Sequence, residues 1–410
     1  MDTFRGLPNA HDTAWSADGA FLATTGSDGE VTVWSASDGH RRRLRGHKES
    51  KGVMSLAWFP GQPVLATGSD DGTVRLWDLV ANTSRVFCTL ENGIWGVAWS
   101  PNGDRLALGD YKGGVGIWDA QKGTLLRRAK VHEDVVYKPC WSPDGQLLVT
   151  CSGDMTINVL ISYDLRLQRK WRGHTHNVYY ITMSPDGHLV ASASGDKTVR
   201  IRDLARGTET ATLEGHTTGV GAVQFSLNGD ILASASSRDY NNPESEACGV
   251  RLWRCRGWEP VAFLSRQEFD GLGGLAFHPS RPLLAIKDTG SRQVDCYKID
   301  YGLLSDSAGE RGSRRYGNAK VVLIGDTGVG KSGLGLVLSG QPYKATDSTH
   351  GRNVWTVEAE EVEVPGGGTQ AREVLLWDLA GQPQCRLVPR VRRVPPGEFV
   401  IFVSRWCDTE

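Results

Sequence analysis

Residues 46–78 read GHKESKGVMSLAWFPGQPVLATGSDDGTVRLWD, and the order of features in this stretch decides the fold. Gly46-His47 leads into an apolar run. Leu65-Ala66-Thr67 forms a second run, Asp71-Gly72-Thr73 supplies a turn, and Arg75-Leu76-Trp77-Asp78 ends a third. Short apolar runs bounded by Gly, Asp and Pro read as strands joined by tight turns. The same unit recurs on both sides. Its third-run anchor falls at Trp34, Trp77, Trp118, Leu160, Arg202, Trp253 and Tyr297, with spacings of 43, 41, 42, 42, 51 and 44 residues. A period of about 40–45 residues with these dipeptides points to four strands per unit. Seven anchors give seven units over residues 1–300.

A four-stranded sheet cannot bury both faces alone, so the units must stack around an axis. The first 300 residues resemble a WD-repeat β-propeller. The resemblance implies a buried set in each blade, made of a His before the first strand, a Ser or Thr in the second, the turn Asp, and the third-strand Trp. In blade 2 these map to His47, Thr67, Asp71 and Trp77. Blade 4 offers His132, Thr150 and Asp154 with Leu160 at the Trp position. Blade 5 offers His174, Ser192 and Asp196 with Arg202 there, and blade 3 has Lys112 at the Asp position. Buried polar groups need partners, so the repeating His, Ser and Asp are read as structural rather than as a hydrolase triad. His174-Thr175-His176 has no further ligands at zinc-like spacing.

Two places depart from the pattern. Residues Ser236–Glu246 form a polar insertion between the second and third strands of blade 6, which accounts for the 51-residue spacing. It is read as a tolerated surface loop, or else as a partner-binding one. The fourth strand of blade 7 has two candidates, the N-terminus around Thr3–Arg5 or residues 299–304.

Residues 301–317 are small and charged, and read as a flexible linker. Residues 318–410 start a second domain. The apolar run Ala319–Ile324 suits a central strand and leads into Gly325-Asp326-Thr327-Gly328-Val329-Gly330-Lys331-Ser332, a complete phosphate-loop pattern. The glycines let backbone N–H groups surround phosphates, Lys331 reaches the β/γ oxygens, and the Ser332 hydroxyl suits Mg²⁺. A second apolar run, Val374–Trp377, ends in Asp378-Leu379-Ala380-Gly381-Gln382. Together these resemble a Ras-like GTPase, in wording closest to Rab-like and Roc-like domains. That resemblance implies Mg²⁺ held by Ser332, Thr349 (Thr346 being the alternative) and Asp378, the γ-phosphate sensed by Gly381, and Gln382 orienting a catalytic water. The implied ligands are GTP or GDP with Mg²⁺. The implied fold is a partial α/β P-loop domain with a mostly parallel sheet, in strand order 2-3-1-4. The last lysine is Lys344, so no Asn-Lys-x-Asp base-recognition motif follows. Pro383, Pro389, Pro395 and Pro396 preclude a regular helix after Gln382. The tail reads as if its frame had changed or its end were lost.

Composition narrows the function class. A net charge of −1 and a pI of about 6.8 give no footprint for nucleic acid. No run approaches the ~20 apolar residues a spanning helix needs. The eight cysteines are scattered, with no Cys-x-x-Cys pair, and read as reduced, mostly buried thiols. The expectation is a GTP-regulated signalling scaffold, cytoplasmic and bacterial, whose propeller binds proteins or peptides, not nucleic acid, without membrane insertion. The alternative is a WD-repeat interaction scaffold with an inactive GTPase remnant.

Overall fold

The computed structural model describes residues 2–5, 10–236, 248–266, 274–288, 293–301, 315–325, 352–363, 369–379 and 399–405, with side chains described no further than Tyr301. Two compact units emerge, Met1–Ser305 and Asp306–Glu410.

The first unit is a ring of seven four-stranded antiparallel sheets. β1 (Asp2–Arg5) stands apart in sequence from its own blade. Blade 1 is β2 (Ala10–Trp15), β3 (Phe21–Gly26), β4 (Val31–Ser35) and β5 (Arg41–Leu44). Blade 2 is β6 (Val53–Trp58), β7 (Val64–Ser69), β8 (Thr73–Asp78) and β9 (Thr83–Thr89). Blade 3 is β10 (Ile94–Trp99), β11 (Arg105–Asp110), β12 (Gly114–Asp119) and β13 (Leu125–Lys130). Blade 4 is β14 (Val136–Trp141), β15 (Leu147–Ser152), β16 (Ile157–Ile161) and β17 (Leu167–Trp171). Blade 5 is β18 (Val178–Met183), β19 (Leu189–Ser194), β20 (Val199–Asp203) and β21 (Glu209–Leu213). Blade 6 is β22 (Val220–Phe225), β23 (Ile231–Ser236), β24 (Cys248–Arg254) and β25 (Pro260–Arg266). Blade 7 is β26 (Leu275–Phe277), β27 (Leu283–Asp288), β28 (Gln293–Lys298) and β1, in the order β1-β28-β27-β26.

All seven anchors therefore lie on third strands. The Asp-Gly turns behave as their composition requires: Gly145 and Gly187 sit at φ +69° and +75°, a region open to glycine without a Cβ clash. Ring closure falls to the N-terminus rather than to residues 299–304. β1 pairs antiparallel with β28, with Phe4 opposite Val294.

The core lies between blades. Seven buried apolar clusters fill seven interfaces. Trp15, Leu22 and Trp34 of blade 1 pack with Ala285, Val294 and Cys296 of blade 7 across the closure. A second tie repeats around part of the ring. Trp58 Nε1 donates to the Ala14 carbonyl at 3.0 Å, Trp99 to Ala57 at 3.1 Å, Trp141 to Ala98 at 3.0 Å, and Trp15 to Ala276 at 3.2 Å. Each indole closes one first strand against the preceding blade. The described cysteines are all free thiols, and burial pushes Cys88 up to about 12 and Cys140 up to about 11.

In the second unit, β29 (Arg315–Gly325), β30 (Arg352–Glu363), β31 (Thr369–Leu379) and β32 (Phe399–Arg405) form one sheet in the order β30-β31-β29-β32. Numbered within this domain, that is the 2-3-1-4 order expected. β29 begins at Arg315, ahead of the 318 boundary. Only the β29–β31 pair is parallel; β30 is antiparallel to β31 and β32 is antiparallel to β29. The expected mostly parallel sheet is thus corrected to one parallel pairing in three. A parallel β32 needs a crossover of a dozen or more residues, usually a helix, and the proline-dense sequence before it opposes one.

Candidate functional site

In blade 2 the buried set is a directional chain. Trp77 Nε1 donates to Thr67 Oγ1 at 2.8 Å, and Thr67 Oγ1 lies 2.8 Å from His47 Nε2. His47 Nδ1 faces Asp71 Oδ2 at 3.3 Å. A carboxylate only accepts, so the proton sits on Nδ1, and Thr67 donates its own proton to Nε2. Burial drives His47 down to about 4, against the pull of Asp71, so the ring is neutral at pH 7. Burial works to raise the Asp71 carboxyl, but hydrogen bonds from Thr73 and the Lys48 amide outweigh it and hold it below its usual value. His132 meets Thr150 at 2.9 Å and Asp154 at 3.0 Å; His174 meets Ser192 at 2.8 Å and Asp196 at 2.7 Å. None of these sets leaves a nucleophile open to substrate, and no metal-binding cluster occurs among the described residues.

The imperfect copies have physical reasons. Blade 3 has Leu90, Leu108 and Lys112 where blades 2, 4 and 5 have His, Ser or Thr, and Asp. Leu90 and Leu108 pack into one apolar cluster with Trp118, so the His and the Ser or Thr are replaced together by apolar contact. In blade 5, Arg202 replaces the Trp at 5% exposure. Its guanidinium lies 5.6 Å from the Trp171 ring centre and bonds the Arg172 carbonyl and Glu209.

The His-bearing loops and the Asp turns meet, so they share one face of the ring. On that face, the first strands of blades 2 to 6 each open with a one-residue bulge, and that of blade 1 with a two-residue shift at His11 and Asp12. Ladder register shifts at Met54, Trp95, Tyr137, Tyr179 and Gly221, each flanked by paired neighbours. These residues surround the mouth of the central channel with His11. In blades 3 to 5 they make an aromatic arc. Trp95 and Tyr137 stand 5.5 Å apart edge-on, Tyr137 and Tyr179 5.3 Å, and Tyr111, 54% exposed, lies 6.0 Å from Trp95. Trp95 Nε1 has no hydrogen-bond partner among the described residues.

An ion pair lines the same channel mouth. Lys138 Nζ from blade 4 lies 2.7 Å from Asp12 Oδ2 of blade 1. Ser55 Oγ and the Leu56 amide of blade 2 also bond Asp12, and the Tyr180 ring of blade 5 lies 4.9 Å from the ammonium. Burial opposes the lysine's charge, but Asp12 and Tyr180 outweigh it and raise its pKa above the usual value. Neither the arc nor this pair was found in the sequence. The 42-residue recurrence of Trp95, Tyr137 and Tyr179 was the available signal for the arc.

In the second unit, Gly325 ends β29, and Asp378 lies one residue before the end of β31. The register sets Asp378 opposite Leu323, so the carboxyl ends of both parallel strands converge, as the backbone of a phosphate–metal site requires. Asp326, Thr327, Gly328, Val329, Gly330, Lys331, Ser332, Thr349, Gly381 and Gln382 lie outside the described residues.

A ring of seven such blades with this buried set defines a WD-type propeller. The profile described as WD domain, G-beta repeat, matches residues 9–35, 39–78, 84–119, 123–159, 165–203 and 207–241, and the chain belongs to the WD-repeat family. A second profile, Ras of Complex, Roc, domain of DAPkinase, matches residues 320–393. Similar curated proteins include Protein HIR1 of Mycosarcoma maydis, 44% identical over 69 residues, covering 16% of this chain and 6% of that protein. WD repeat-containing protein 1-A of Xenopus laevis is 35% identical over 75 residues, 18% of this chain and 12% of that protein. F-box/WD repeat-containing protein sel-10 of Caenorhabditis elegans is 38% identical over 77 residues, 18% and 13%. The chain thus spans only a small part of the length of these relatives.

Proposed function

We propose that this protein is a cytoplasmic signalling scaffold whose propeller holds protein partners while the Roc region, by its nucleotide state, governs their presentation. The aromatic arc Trp95–Tyr137–Tyr179 carries the partner-binding half of this reading. Half-buried rings lining the channel mouth, with exposed Tyr111 beside them, suit a peptide's apolar side chains. For the nucleotide half, Lys331, Ser332, Thr349 and Asp378 would hold phosphate and Mg²⁺, with Gly325–Gly330 and Gly381 supplying backbone contacts. GTP would bring a hydrolysable phosphoanhydride, and Gln382 would position water.

These contacts address what all nucleoside triphosphates share, and the 410 residues carry no Asn-Lys-x-Asp motif to read guanine. Binding should be weak, nearly indifferent between GTP and ATP, and lost in Lys331→Ala. Competition binding on the full chain tests this; tight, GTP-selective binding would overturn it. Trp95→Ala and Tyr179→Ala should reduce partner capture, and capture by wild type should depend on the nucleotide loaded. A second reading is a plain interaction scaffold whose propeller works without regard to nucleotide. Partner capture indifferent to nucleotide and to Lys331→Ala would select it.

A further inference from the structure

The outer strands of the propeller carry a charge pattern that the near-neutral total conceals. β5, β9, β13 and β17, the rim of blades 1 to 4, read RRRL, TSRVFCT, LLRRAK and LQRKW. They hold nine Lys and Arg (three, one, three and two in turn) and no Asp or Glu. The outer strands of blades 5 to 7, β21, β25 and β1, balance two basic residues against two acidic ones. Glu30, Asp110 and Glu133 answer part of the charge through Arg43, Arg128 and Lys130. Arg127 makes no ion pair among the described residues and bonds only the carbonyl of its neighbour Leu126.

β13 combines this charge with two further properties. It ends its sheet, so one side of its backbone faces outward unpaired. Its side chains also leave apolar surface in the open, with Leu125 50% and Leu126 38% exposed. Edge strands protected against pairing usually replace such apolar positions with charge. Here charge and apolar surface sit on one strand, which repels a second basic edge and attracts an acidic one.

We propose that the β13 edge is a docking site for an extended acidic peptide, which adds as a fifth strand to blade 3. Its backbone would pair with Leu125–Lys130, its carboxylates would meet Arg127, Arg128 and Lys130, and apolar side chains between them would cover Leu125 and Leu126. A bilayer fits less well. The four basic edges turn through more than half the ring, and a flat surface meets one or two of them. Single-stranded nucleic acid fits less well too, because it needs exposed rings for stacking. The aromatic residues of these four strands, Phe87 and Trp171, are 7% and 6% exposed.

The test uses the full chain and a fluorescent peptide in which pairs of glutamates alternate with pairs of valines, so that carboxylates stand on both faces of the added strand. Four other probes accompany it: a lysine–valine peptide, the acidic peptide with alternate backbone amides methylated, an oligodeoxythymidine, and phosphatidylserine vesicles. The acidic peptide alone should bind, more weakly as salt rises. Binding should fall severalfold in Arg127→Glu and in Leu126→Ala, both exposed positions whose folding is checked by circular dichroism. Equal binding of the methylated peptide would overturn strand addition. Undiminished binding by Arg127→Glu, or tighter Arg127-dependent binding of vesicles or oligonucleotide, would overturn the proposal.

Discussion

His47 and its blade 6 counterpart His216, which meets Ser234 at 2.7 Å, are neutral at pH 7 because burial, more than any charged neighbour, sets their state. In the unfolded chain both titrate near 6.5; in the fold they stay neutral down to about 4 and about 3. Between these values the unfolded chain binds the extra protons, so this contribution is complete above pH 6.5 and declines as pH falls. Each histidine can remove up to ~1.4 kcal/mol per pH unit. The melting temperature should be flat from pH 8 to 7 and fall from pH 6 to 5, with a shallower fall in His216→Gln. A slope unchanged in that variant would show that His216 does not contribute. Thr67→Val leaves the Trp77 N–H and His47 Nε2 without their partner and should cost ~2–4 kcal/mol in urea denaturation. His47 and Thr67 were legible beforehand because the buried set repeats in sequence; His216 was not singled out. Arg202 was legible as a departure, but its compensation by Trp171 and Glu209 was not, since both partners reach it through neighbouring strands.

At the scale of elements, the blade boundaries did not coincide with the sequence unit. The matched repeat 39–78 contains β5 of blade 1 and then β6, β7 and β8 of blade 2. Every repeat is therefore sewn to its predecessor by backbone hydrogen bonds. At the closure that role falls to β1. Removing residues 1–5 should lower stability by about 2 kcal/mol or more, at ~0.5–1.5 kcal/mol per backbone hydrogen bond lost. An unchanged melting curve would deny β1 its part in closing the ring. Strand number and anchor position could be read from spacing. The choice between β1 and residues 299–304 could not, because sequence near either end is equally compatible with an edge strand. Nor could the indole ties of Trp15, Trp58, Trp99 and Trp141, whose acceptors lie in another blade.

The propeller is spanned by the Lys138–Asp12 pair, 126 residues apart in sequence and joined only because the ring brings blades 1 and 4 to one axis. Removing one charge leaves the other buried and unpaired. Lys138→Met should cost ~3–5 kcal/mol, while Asp12→Asn with Lys138→Met should recover much of that loss. Additive losses in the double variant would contradict the coupling. The unit Met1–Ser305, expressed alone, should give a β-rich spectrum and a cooperative transition; a molten or helix-rich spectrum would contradict an autonomous propeller. The clasp also has a consequence in time. β1 is made long before its partner β28, which is complete only at Lys298. At roughly 5–20 residues per second, β1 waits on the order of 15–60 s for its mate. Throughout that interval the growing propeller is an open arc with an unsatisfied strand, which stays available to other nascent chains until the circle closes.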